Sequence, residues 1–82
     1  MATKEDLQDW VIHGLRANGG RAKLVTVAKH IWVEHEEELK NSGNLLYTWQ
    51  YDMRWAALVL RKKKIMKSAI SSPSGIWELA EK

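Results

Sequence analysis

From Asp52 to Glu78 the chain has no acidic residue between these two, and within that gap stand Arg54, Arg61, Lys62, Lys63, Lys64 and Lys67. Clustered guanidinium and ammonium groups neutralise phosphates and release counterions, which makes such a run apt for a polyanion. The plainer alternative is a solvated helix end whose lysines complement the helix dipole. Just ahead of the run lie Thr48, Gln50, Tyr51 and Arg54. Gln can bridge an adenine edge and Arg a guanine edge through paired hydrogen bonds, so these four residues are candidate base readers. Tyr47, Tyr51 and Trp55 could stack on a base. By contrast, Trp10, Trp32, Trp49 and Trp77 fall on apolar faces and read as core.

Other chemistries find little support. His30, Glu34 and His35 suggest a metal site, and positions 30 and 34 share a helix face. The spacing nevertheless differs from the two-histidine zinc helix, so polar side chains turned to water are the better account. No glycine-rich phosphate loop follows a strand and no nucleophile elbow is present. The chain has no cysteine, which removes thiolate metal sites and disulfides and gives no sign of an oxidising compartment. A non-enzymatic protein with no cofactor is expected.

The basic run is positioned by a readable succession of elements. Thr3 and Asp6 resemble a capping box, and Leu7, Trp10, Val11 and Leu15 follow at helical spacing, so a first helix is expected over 4–17. Asn18-Gly19-Gly20 ends it, and Arg21-Ala22-Lys23 is a short extended piece. Leu24, Val27, Ala28, Ile31 and Trp32 mark a second helix. Its acidic far end, 34–38, leads to the turn residues Asn41-Ser42-Gly43-Asn44. A third helix is expected over 48–63, with Thr48 as N-cap and Trp49, Met53, Ala56, Ala57 and Leu60 inward. Gln50, Tyr51, Arg54, Leu58 and Arg61 form its outward stripe. The runs 65–70 and 76–80 flank a Ser-Pro-Gly loop and predict a β-hairpin, with Trp77 and Leu79 toward the helices and Glu78 away.

Eighty-two residues have surface enough to cover one modest apolar core, so 1–82 is read as one domain. The 45% hydrophobic and 28% charged fractions are those of a folded chain rather than a disordered one. No stretch approaches the roughly 20 apolar residues of a bilayer span, and the opening Thr-Lys-Glu-Asp is unlike a secretion signal. No membrane partner and a cytoplasmic location are therefore expected. The net charge of +3 is mild, which places the weight on where the charges sit.

Helix, short strand, helix, helix and hairpin is the order of an α+β winged helix-turn-helix: three helices with a C-terminal two-stranded β-wing. Such folds commonly lay the third helix in the major groove and rest the wing on the backbone or minor groove. The segments Ser42-Gly43, Trp49-Gln50-Tyr51-Asp52-Met53-Arg54-Trp55-Ala56, Leu60-Arg61-Lys62-Lys63 and Gly75-Ile76-Trp77-Glu78-Leu79 resemble the N-terminal winged-helix domain of Mrr-type restriction endonucleases. The likeness covers most of the chain and is firmest from Leu39 to Leu79. It implies a prokaryotic DNA-binding module beside a nuclease domain or subunit, in restriction of foreign or modified DNA. Where that family usually has a glycine, this chain has Lys64, which puts the glycine helix stop in doubt and adds a charge beside the wing. Glu38-Leu39-Lys40 matches the tail of a nuclease metal motif, but it falls at a helix end with no suitable partner strand, so coincidence is the better reading.

The expectation is a module for double-stranded DNA, with the third helix in the major groove. Thr48, Gln50, Tyr51, Arg54, Leu58, Arg61, Lys62, Lys63, Lys64 and Lys67 supply contacts, and Ser72 and Ser74 touch backbone from the loop. Restriction and transcriptional regulation both remain open, as do monomer and homodimer. The rival reading is a winged helix for protein contact, through the acidic stretch 34–38 with a basic partner or a second copy. The mild net charge favours it.

Overall fold

In a computed structural model describing residues 2–68, 70 and 75–80, the chain is α+β, with three helices and a two-stranded antiparallel sheet. Helix α1 spans Asp6–Ala17, strand β1 Arg21–Lys23, helix α2 Leu24–Lys40, helix α3 Leu45–Lys62 and strand β2 Ile76–Glu78. The Thr3 amide donates to the Asp6 carboxylate at 2.9 Å, which is one half of the expected box. At the other end of α1, the Gly20 N–H reaches the Leu15 carbonyl and the Gly19 N–H that of Arg16. This pairing needs a left-handed residue, and Gly19 supplies it at φ 80°. The chain thereby turns directly into β1.

One apolar core joins all the elements. Leu7, Val11 and Leu15 of α1, Val27, Ile31 and Leu39 of α2, and Trp49, Met53, Ala56 and Leu60 of α3 meet beneath Met66, Trp77 and Leu79. Trp10, Trp49 and Trp77 are buried as expected, while Trp32 is only partly buried. Within α2, His35 departs from helical geometry at φ −129° and ψ 19°. Its ring lies flat on Trp10, with centroids 3.8 Å apart.

Two expectations need correction. Helix α3 starts at Leu45 rather than at Thr48, with Asn44 in the N-cap position. Gly43, at φ 61°, reverses the chain quickly enough for the helix to begin at once. Leu45 then adds a turn to the buried row of Trp49 and Met53. Thr48 caps nothing; its hydroxyl donates to the Asp52 carboxylate at 2.8 Å.

The second correction concerns the wing. β2 pairs with β1, in the register Arg21 with Glu78, Ala22 with Trp77 and Lys23 with Ile76, rather than chiefly with 65–70. The segment after α3 joins through the Met66–Leu79 bridge, the Lys67 N–H to the Glu78 carbonyl and the Ala80 N–H to the Ile65 carbonyl. The reason is steric. The two glycines swing β1 alongside β2, where Ala22 is small enough to lie opposite the large Trp77 over the core. Side-chain alternation is as expected, with Trp77 and Leu79 buried and Glu78 on the other face. Ser72 and Ser74, assigned to backbone contact, lie outside the described residues.

Candidate nucleic-acid interface

Helix α3 has one buried row, formed by Leu45, Trp49, Met53, Ala56 and Leu60. Stepping by about 100° per residue, Gln50, Arg61, Arg54, Leu58, Tyr51 and Lys62 occupy about a third of the circumference, on the opposite side. Tyr47 belongs to the same arc. All but the half-buried Arg61 are exposed, and no carboxylate of α3 falls in the arc. Asp52, the helix's acid, projects from the other side with Thr48. The helix thus presents an acid-free strip about 18 Å long between Gln50 and Lys62.

The six cations of the basic run divide into two groups. The side chains of Arg54, Lys62 and Lys64 have no hydrogen-bond or ion-pair partner among the described residues. The other three are engaged. Arg61 donates from Nε to the Lys67 carbonyl at 3.0 Å, tying α3 to the segment that follows it. Lys67 Nζ lies 3.9 Å from the Glu78 carboxylate, which also holds Arg21 at 3.6 Å. Lys63 leaves the strip altogether, reaching the Gln8 side-chain oxygen of α1 at 3.1 Å.

Lys64 sits where the helix stops, at φ 65°. The Ile65 N–H bonds the Leu60 carbonyl and the Lys64 N–H that of Arg61, the double pairing of a glycine-type helix end. The stop doubted from sequence therefore forms without glycine. Lysine is held in the left-handed region, and its ammonium group stands at the junction of α3 and the sheet.

Among the aromatic candidates, Trp55 is half-buried and lies under the Lys4 ammonium, 4.7 Å from the ring centroid. Tyr47 and Tyr51, one turn apart, are 83% and 77% exposed, so they are the two rings open to a stacking partner. Beside them α2 and α3 enclose a groove of about 620 Å³. Ala28 and Trp32 of α2 and Trp49 and Met53 of α3 line it, and Lys29 and Arg54 also contribute to its wall. Its α2 side was missed in the sequence. Val25 and Val33 stand outside the buried row of α2 and are largely exposed, and their spacing to Lys29 at i and i+4 was the available signal.

Among the described residues no group of three or more His, Asp or Glu could hold a metal ion. His35 is stacked on Trp10, whereas His30 packs near Gly14. Glu38-Leu39-Lys40 forms the last turn of α2, with Leu39 fully buried. No helix among the described residues is long and apolar enough to cross a membrane. Comparison of the chain with family models, curated proteins and solved structures finds no significant match.

Proposed function

We propose that this chain is a non-catalytic winged-helix module that binds double-stranded DNA in the cytoplasm. The observation that carries the reading is the acid-free outward strip of α3, with Arg54, Lys62 and Lys64 unengaged. Helix α3 enters the major groove, Gln50 and Arg54 face base edges, Lys62 and Lys64 meet phosphates, and Tyr51 and Leu58 fill the groove between them. The sheet of β1 and β2, with the bridge at Met66, takes the place of the wing, and Lys67 approaches the backbone from there. The resemblance to Mrr-type N-terminal domains supports the same role, beside a nuclease in restriction or alone in regulation.

A second reading is favoured by a specific observation. The groove and the exposed Val25, Val33, Tyr47, Tyr51 and Leu58 form more apolar surface than phosphate binding requires, as a protein-contact module would have. Fluorescence anisotropy with a labelled duplex separates the two. On the DNA reading, Arg54→Ala weakens binding about 5- to 150-fold, the effect of losing one base-reading arginine, while Lys63→Ala changes it less than about twofold. No binding by wild type, or equal losses in both variants, would reject the DNA reading.

A further inference from the structure

We infer that the outward face of α2 is an interface between two copies of this chain, related by a two-fold axis beside Val33. One line of that helix, at steps of four, reads Val25, Lys29, Val33, Glu37. In an antiparallel pairing centred on Val33, a residue four before the centre faces one four after it. Lys29 of each copy then meets Glu37 of the other, and Val33 meets Val33. Parallel pairing would set lysine on lysine and glutamate on glutamate. The line is thus self-complementary under a two-fold axis perpendicular to the helix, which closes a dimer.

The state of these side chains fits that occupant. Val33 is 74% exposed at the centre of a charged helix, where water gains nothing from it. Neither Lys29 nor Glu37 is in an ion pair among the described residues. The neighbouring carboxylates are in use. Glu36 binds Lys40 at 2.9 Å, and that hydrogen bond, with a smaller pull from the Glu37 charge, holds the Lys40 amine above the ordinary lysine value. Glu38 lies 3.5 Å from His35. The break in helix geometry at His35 falls between Val33 and Glu37, and the long side chains of lysine and glutamate span such an offset.

Val25 and the edge of the α2–α3 groove extend the apolar part of this face. Helix α2 has 17 residues and is therefore about 25 Å long. A strip of that length and about 12 Å width covers about 300 Å² per copy, or about 600 Å² in all, the size of a weak interface rather than a permanent one. The dimer is accordingly a weak, reversible one, populated by about 200 μM. It is argued from α2 and does not rest on the DNA reading, although Lys29 and Val33 share a groove wall with Gln50 and Arg54 of α3.

The test is sedimentation velocity of the full chain from about 5 to 200 μM. Wild type should approach twice the 9.5 kDa chain mass as concentration rises. Val33→Glu should raise the dimer dissociation constant at least about tenfold while leaving the thermal midpoint of the monomer unchanged. Lys29→Glu and Glu37→Lys should each weaken the dimer, and the double charge reversal should restore it. A wild type that stays monomeric at 200 μM, a dimer indifferent to Val33→Glu, or a double reversal that fails to recover would each overturn the proposal. Duplex binding by wild type at concentrations where it is monomeric, measured separately, reports on the DNA reading alone.

Discussion

Replacing Lys64 by glycine should stabilise the protein even though it removes a side chain. Lys64 is held at φ 65°, where the Cβ of an L-residue crowds the following carbonyl at a cost of about 1–2 kcal/mol. Glycine avoids that cost but has more freedom to lose on folding, about 0.5–1 kcal/mol relative to a residue with a Cβ. The side chain itself has no hydrogen-bond or ion-pair partner among the described residues, so nothing else is sacrificed. Taking the middle of each range, the balance is a gain of about 0.75 kcal/mol, or about 3–6 °C in thermal midpoint for a domain of this size. Thermal unfolding followed by far-ultraviolet circular dichroism measures it, with Lys64→Ala as control. Alanine keeps the Cβ and should leave the midpoint within about 1–2 °C of wild type. An unchanged or lower midpoint for Lys64→Gly, or an equal gain for alanine, would refute a strained helix stop at this position.

Three further outcomes follow from named contacts. Ser42 is buried and its Oγ accepts the Ala2 N–H at 3.0 Å while donating to the Glu38 carbonyl; Ser42→Ala leaves that amide unsatisfied and should cost about 1–3 kcal/mol in urea unfolding. Trp77→Ala empties the underside of the sheet and should cost about 3–5 kcal/mol, a large share of a small domain's stability, visible as a collapse of the urea midpoint. Glu78→Gln releases Lys67 and Arg21 from the carboxylate they share. Duplex affinity by anisotropy should rise about two- to fivefold, with less than about 1 kcal/mol lost in stability.

The helices and the alternation in β2 were legible in the sequence because each depends on a local apolar period. Leu7, Trp10, Val11 and Leu15 mark α1, and Trp49, Met53, Ala56 and Leu60 mark α3, whatever the rest of the chain does. Two features escaped because they are settled by contacts distant in sequence or by turn geometry. Thr48 has the chemistry of an N-cap, but the rapid reversal at Gly43 let Leu45 and Leu46 join the helix ahead of it. The partner of β2 lies more than fifty residues away at Arg21–Lys23, and no local pattern announces that pairing. The outward strip of α3 followed from helical spacing, and Gln50, Tyr51, Arg54, Leu58 and Lys62 are exposed on it. Spacing could not tell that Lys63 turns to Gln8, that Arg61 serves the Lys67 carbonyl, or that Glu78 holds Lys67, since each partner lies on another element.

The salt dependence of duplex binding goes to the heart of the functional claim. Each phosphate neutralised contributes about −0.9 to the slope of log affinity against log salt concentration, so the two unengaged lysines placed on phosphates, Lys62 and Lys64, predict a slope near about −1.8. Lys62→Ala and Lys64→Ala should each bring it to about −0.9, and Lys63→Ala should leave it unchanged. A wild-type slope near zero, or one that Lys63→Ala flattens as much as Lys62→Ala does, would contradict binding through the outward strip of α3.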